Sequence, residues 1–96
     1  MTEIARDCLR VLRASASHCA TPLSATLIDM RRWASALFAG YRFTVAIDNA
    51  GDALLDDWLA ALPEAELAWH DHFVASAELV DRSAHRAVIE LLVVEA

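Results

Sequence analysis

The stretch LAWHDHFVASAELVD (67–81), followed after two further residues by AHRAVIELLVVE (84–95), decides the fold of this chain. In the first half, apolar residues alternate with small or polar ones, which is the period of a β-strand rather than of a helix. The second half is another short apolar run, and the polar break at Arg82 and Ser83 suits a turn between the two. The stretch therefore predicts a long antiparallel hairpin.

The second strand of this predicted hairpin ends in LLVV (91–94), which is apolar on both faces. A strand with two apolar faces has to be covered on both sides. In a chain of 96 residues the helices can cover one face, so we expect a second copy or a protein partner to cover the other.

The composition bounds the class of protein. The length suits one domain (1–96), and a chain with 57% hydrophobic residues can fill a core and is too apolar to be disordered. The net charge of −6 argues against binding to nucleic acid or to an anionic membrane, because both bind to basic surfaces. We therefore expect a homo-oligomer or a protein partner, with no nucleic acid and no membrane.

The choice of arginine over lysine suggests the source of the gene, and the N-terminal residues suggest the cellular compartment of the protein. All eight basic residues are arginine and alanine is abundant, which is typical of GC-rich bacterial or phage genes. The first ten residues carry two acidic and two basic side chains and no apolar segment follows, so we expect no signal peptide. No apolar run approaches the ~18 residues of a membrane span. These features predict a cytoplasmic protein in which Cys8 and Cys19 stay reduced.

Residues 3–18 and 22–38 are predicted as two antiparallel helices. In both segments apolar residues recur at spacings of three and four, the period of an amphipathic helix. In the second segment Thr21 and Pro22 look like an N-cap followed by proline at the first helical position. Gly40 stands where the glycine after a helix C-terminus belongs.

An internal repeat supports a different structure for the second segment. The residues SATLID (24–29) echo SAELVD (76–81). If the echo marks a duplication, the chain consists of two helix–strand–strand units, residues 23–32 form a strand, and the sheet has four strands. We keep this as the alternative, because two cap signals and a full helical period favour the helix.

The middle of the chain predicts one strand and one helix. YRFTVAID (41–48) alternates as a strand does, and residues 52–62 repeat leucine and tryptophan at helical spacing until Pro63 ends the helix. The order is then helix–helix–strand–helix–strand–strand. It predicts a small single α+β domain with a mainly antiparallel three-stranded sheet and helices on one face.

His70 and His72 form the sharpest local motif. His-x-His spacing on a strand places both imidazoles on one face, and metal sites use that spacing. A tight hairpin brings positions 93–95 opposite them, so Glu95 is the natural third ligand. We expect no resident cofactor, with a divalent metal at His70, His72 and Glu95 as the alternative.

Four apolar residues are predicted to lie at an interface. Trp33 stands beside two arginines, and tryptophan with arginine is the composition of an interaction hot spot. Leu92, Val94 and Val74 are apolar positions on the face of the hairpin that we expect the helices to leave uncovered.

The chain has few of the motifs that carry catalysis. It has no nucleophile elbow, phosphate-binding loop, dinucleotide fingerprint or Cys-x-x-Cys pair. We therefore expect a non-catalytic protein–protein interaction module that acts as a homodimer or bound to a protein partner, of regulator, adaptor, immunity or inhibitor type. The alternative is a small-molecule-binding or metal-dependent enzyme subunit, with a pocket formed at a dimer interface around the C-terminal hairpin.

Overall fold

The computed structural model describes residues 2–19, 22–48 and 52–95. Within these ranges the chain forms two α-helices, one short 3-10 turn and a four-stranded antiparallel sheet. The elements are, in chain order, α1 (Glu3–His18), β1 (Ala25–Ala34), β2 (Ala39–Ile47), α2 (Ala53–Ala61), the 3-10 turn (Leu62–Glu64), β3 (His72–Arg82) and β4 (Ala87–Glu95). The prediction of an α+β domain is confirmed. The three-stranded sheet is wrong, and the four-stranded alternative fits.

The predicted helix over 22–38 is wrong because a β-bulge imitates helical spacing. Leu27 pairs with Val45, but the next inward residue, Met30, pairs with Phe43. The register shift at Ile28 inserts one extra residue into β1, so the step between successive inward residues becomes three instead of two. In the sequence, Leu23, Leu27 and Met30 are therefore spaced by four and then by three residues, which is the spacing typical of a helix. Thr21, the predicted cap, lies outside the described residues.

The two halves of the chain have the same architecture. The strand order is β1-β2-β4-β3, so each half contributes one antiparallel hairpin and β2 pairs with β4 at the centre. The two hairpin turns also match. The amide of Ser35 donates to the carbonyl of Phe38 at 2.7 Å, and the amide of Ser83 donates to the carbonyl of Arg86 at 2.8 Å. This repetition supports the duplicated helix–strand–strand interpretation.

The echo between SATLID (24–29) and SAELVD (76–81) has a structural counterpart. In β1 the register shifts between Leu27 and Asp29, and in β3 it shifts between Leu79 and Asp81. The same leucine–aspartate step therefore carries a bulge in both edge strands.

Both helices begin at side-chain caps. Thr2 Oγ1 accepts a hydrogen bond from the amide of Ala5 at 3.3 Å. Asp52 accepts from the amides of Leu54 and Leu55 at 3.0 and 3.2 Å. Each cap satisfies amides that have no partner within the first turn of its helix.

The helices pack together on one face of the sheet, which we call the helix-covered face. Trp58 of α2 is 2% exposed, and its Nε1 donates to Ser15 Oγ of α1 at 2.9 Å. The core joins both helices to the inward residues of the strands: Cys8, Leu9, Leu12, Ala16, Phe43, Val45, Ile47, Leu55, Trp58, Leu59, Leu62, Ala77, Ala87, Ile89, Leu91 and Val93. Neither described helix combines the length and apolarity needed to cross a membrane.

Candidate functional site

An open pocket of about 650 Å³ lies at the end of the sheet where β3 begins and β4 ends. His72 and Glu95 are register partners there, and His70 lies in the turn before β3. The pocket is lined by Glu3, Ile4, Asp7, Arg10, Tyr41, His70, Asp71, His72 and Glu95. The three residues of the predicted metal site therefore line one pocket.

Glu95 is already paired with an arginine from the edge strand β1. Arg32 Nη1 donates to Glu95 Oε1 at 2.6 Å, and the guanidinium carbon lies 5.0 Å from the centroid of the Tyr41 ring. The hydrogen bond from Arg32 lowers the pKa of Glu95 below its ordinary value, with partial desolvation opposing it. A cation entering the pocket would have to compete with Arg32 for this carboxylate.

The two histidines have different surroundings. The His70 side chain is 92% exposed, with its Nε2 3.3 Å from Asp71 Oδ2. The His72 ring packs against Trp69, with ring centroids 5.5 Å apart, and His72 Nδ1 lies 3.3 Å from the carbonyl oxygen of His70. Asp71 between them has φ of 62°, a turn conformation that aspartate tolerates better than most residues.

The described side chains of the pocket do not form a metal-binding cluster. Across residues 2–19, 22–48 and 52–95, no three His, Cys, Asp or Glu side chains are grouped so as to hold a metal ion. The metal at His70, His72 and Glu95 therefore stays a prediction from residue spacing.

A chain of aromatic rings connects the pocket to the core. Tyr41 stacks on Phe43 with centroids 5.8 Å apart, and Phe43 stacks on Trp69 at 5.9 Å. Trp69 in turn contacts His72. The sequence did not predict that Arg32 and Tyr41 lie beside Glu95. Arg32 belongs to β1, which was predicted as a helix, and Tyr41 is its partner on β2.

The opposite side of the sheet carries neither described helix, and we call it the open face. Its residues follow from the strand register, because cross-strand partners lie on the same side of a sheet. They are Thr26, Asp29, Arg31 and Trp33 of β1, Gly40, Arg42, Thr44 and Ala46 of β2, Val88, Glu90, Leu92 and Val94 of β4, and Phe73, Ser76, Glu78 and Asp81 of β3.

One row of the open face is apolar across all four strands. Trp33 pairs with Gly40, Gly40 pairs with Val94, and Val94 pairs with Phe73. Val94 is 4% exposed although no helix covers it, whereas Phe73 at the edge is 49% exposed. We call these four residues the aromatic row. Leu92 follows in the next row, so the apolar surface continues along β4.

At Gly40, in the middle of the aromatic row, the backbones of β2 and β4 lie very close together. A Cβ atom at this position would lie 1.9 Å from the carbonyl oxygen of Val93. No side chain fits between β2 and β4 there, so the two central strands approach each other closely at Gly40, which is itself buried.

The charges of the open face are divided between its two halves. The β1–β2 half carries Arg31 and Arg42 with one acidic residue, Asp29, which is 2.8 Å from Arg31. The β4–β3 half carries only acidic residues, which are Glu90, Glu78 and Asp81. Arg42 and Glu90 meet at the boundary at 3.5 Å and are both well exposed. One half is thus net basic and the other net acidic.

Three of the four predicted interface residues lie together on the open face. Trp33, Leu92 and Val94 belong to it, but Val74 lies on the helix-covered face, where it packs against the core. The cause is a bulge at Ala75, which adds one residue to β3 and reverses the sides that simple alternation predicts. The same bulge places His72 on the helix-covered side and Phe73 on the open face.

The edges of the sheet are poor docking sites. β1 and β3 form the two edges, and β1 carries one register shift and β3 two. Bulges interrupt the row of free amide and carbonyl groups that an added strand would need. The open face, rather than an edge, is therefore the surface suited to a partner.

Comparison with protein-family models, with curated proteins and with solved structures gives no match for this chain.

Proposed function

We propose that this protein is a non-catalytic protein–protein interaction module whose open face binds another protein chain. The observation that carries the proposal is the aromatic row, which crosses all four strands on the side of the sheet without a helix. Trp33 and Phe73, at the two ends of the row, belong to the aromatic residues that are enriched at protein interfaces.

The size of the open face supports this function. Four strands at a spacing of about 4.8 Å, each about 30 Å long, give a footprint of roughly 600 Å². A standard interface buries about 600–1,000 Å² on each partner. The open face is therefore large enough for a specific complex without any contribution from the edges.

The apolar and charged residues of the open face have separate tasks in this proposal. Trp33, Phe73 and Leu92, which keep exposed surface, supply the apolar area that a partner removes from water. Arg42, Glu90 and Glu78 lie around it and select the partner by charge. We place the interaction in the cytoplasm, in a regulator, adaptor, immunity or inhibitor role.

A photo-crosslinking residue at position 92 tests the proposal. We expect the substituted protein, produced in bacterial cells, to form a discrete covalent adduct with one protein chain that mass spectrometry identifies. The matched control places the same residue at Leu54 of α2, which is 50% exposed and lies away from the open face. Absence of an adduct at 92, or the same adducts from 54, would overturn the proposal.

The pocket favours a second candidate function, the binding of a small molecule or a metal ion. The observation in its favour is that His70, His72 and Glu95 line one pocket of about 650 Å³. Stoichiometric zinc or manganese in the purified protein, lost in His72→Ala, would favour this function. Absence of metal, with no thermal shift on adding either ion, would count against it.

A further inference from the structure

We infer that the chain bound by the open face is a second copy of this protein, related by a twofold axis that runs parallel to the strands. This inference rests on the proposed function and specifies its partner. It is carried by the division of charge on the open face, which is complementary when the basic half of one copy lies over the acidic half of the other.

A face-to-face twofold dimer has its axis in the plane between the two sheets, along the strands or across them. An axis across the strands places each half of the face on the same half of the other copy. The basic half of one copy, with Arg31 and Arg42, would then lie over the basic half of the other, and the acidic half, with Glu90 and Glu78, over the acidic half. Like charges brought together in this way oppose association.

An axis along the strands exchanges the halves instead. It places the β1–β2 hairpin of one copy over the β3–β4 hairpin of the other. Arg42 then lies over Leu92 and Glu90 of the partner subunit, and Arg31 lies over Ser76 and Glu78 of the partner subunit. Each attractive contact occurs twice, because the interface is isologous.

The same axis also matches the aromatic row to itself. Trp33 faces Phe73 of the partner subunit, and the buried position Gly40 lies opposite Val94 of the partner subunit. Large, partly exposed side chains therefore meet at the two ends of the row, while its centre is already nearly covered within each copy. Aligned sheets pack about 10 Å apart, which suits this alternation of large and small residues.

The Arg42–Glu90 pair within one chain does not prevent the contact between chains. Its N–O distance is 3.5 Å, and the side chains are 55% and 40% exposed. An exposed pair of this kind contributes little to the stability of the monomer. Both side chains can therefore turn toward the second copy without a large cost in folding.

Charge reversal in two separate variants tests the inference. We expect the wild-type protein to sediment as a dimer over a micromolar concentration series. In Arg42→Glu and in Glu90→Arg each homodimer holds two like-charge contacts, so its dissociation constant should rise at least about tenfold. The matched controls are Arg13→Glu on α1 and Glu66→Arg before β3, both exposed, which make the same changes in net charge elsewhere.

Mixing the two variants provides the decisive measurement. A heterodimer of Arg42→Glu with Glu90→Arg holds two opposite-charge contacts between the chains, so the mixture should dimerise again. Each chain keeps the unfavourable pair that its own substitution created, so recovery on mixing cannot arise within one chain. Circular dichroism of each variant alone checks that it is folded.

The possible failures are separable from failure of the proposed function. A wild-type dimer without recovery on mixing would overturn the twofold arrangement, and a wild-type monomer throughout the series would overturn the second copy as partner. In either case an adduct from position 92 with a different protein would leave the interaction function standing. An adduct of the protein with itself, together with recovery on mixing, would support the inference.

Discussion

Replacing Gly40 with alanine should destabilise the protein strongly, because the two central strands leave no space at this position. A Cβ atom there would lie 1.9 Å from the carbonyl oxygen of Val93, 2.9 Å from its carbon and 3.0 Å from Cα of Val94. All three atoms belong to the backbone of β4, so no side-chain rotation can relieve the overlap. The strands β2 and β4 would have to separate at the middle of the sheet.

The sign of the effect distinguishes this argument from the ordinary behaviour of glycine. Where the native conformation tolerates it, a change from glycine to alanine stabilises a protein by about 0.4–1 kcal/mol, because the unfolded chain loses entropy. Overpacking usually costs about 1–3 kcal/mol, and a clash with backbone belongs at the upper end of that range. We expect a net loss of about 2 kcal/mol and, for a domain of this size, a fall in Tm of about 10–15 °C.

Thermal and urea unfolding, followed by far-ultraviolet circular dichroism, measure this loss. The control is Ala39→Gly at the neighbouring residue, which should cost only the about 0.5–1 kcal/mol of an added glycine. A Gly40→Ala protein with a Tm equal to or above that of the wild type would refute the close approach of the two strands.

Three further predictions concern the core and the pocket. In Ser15→Ala the hydrogen bond from Trp58 Nε1 is lost, which should cost about 1 kcal/mol in urea unfolding, whereas the same change in a Trp58→Phe background should cost little. Burial raises the pKa of Cys8 to about 12, so a disulfide exchange reagent at pH 8 should modify one thiol in the native protein and two in urea. Because the hydrogen bond from Arg32 lowers the pKa of Glu95, this pair stabilises the fold above the ordinary carboxyl range and loses that effect as the pH falls through the lowered pKa. Unfolding across an acid pH series should therefore show a smaller loss of stability in Glu95→Gln, and identical pH profiles would contradict the pairing.

Much of the fold was predictable because it depends on local periodicity. The helix α1 (Glu3–His18), the strand β2 (Ala39–Ile47) and the C-terminal hairpin agree closely with the patterns of apolar residues. The hairpin also predicted that Glu95 lies near the two histidines, but its pairing with His72 depends on a four-residue turn and two bulges that the sequence did not reveal.

The errors trace to backbone bulges, which periodicity does not reveal. The extra residue at Ile28 made β1 look helical, and the extra residue at Ala75 moved Val74 to the helix-covered face. Only the echo between residues 24–29 and 76–81 pointed to the correct strand, because related segments adopt related structures. Gly40, expected after a helix, lies instead in a strand where β4 excludes any side chain.

By itself, the sequence determined the α+β class and the surplus of apolar residues on β4 that a single helical layer cannot cover. These depend on residue type and spacing, which every segment carries with it. The tertiary structure alone decided which side chains share a surface. The aromatic row of Trp33, Gly40, Val94 and Phe73 forms only when four strands pair in one register, and three bulges set that register through hydrogen bonds between strands.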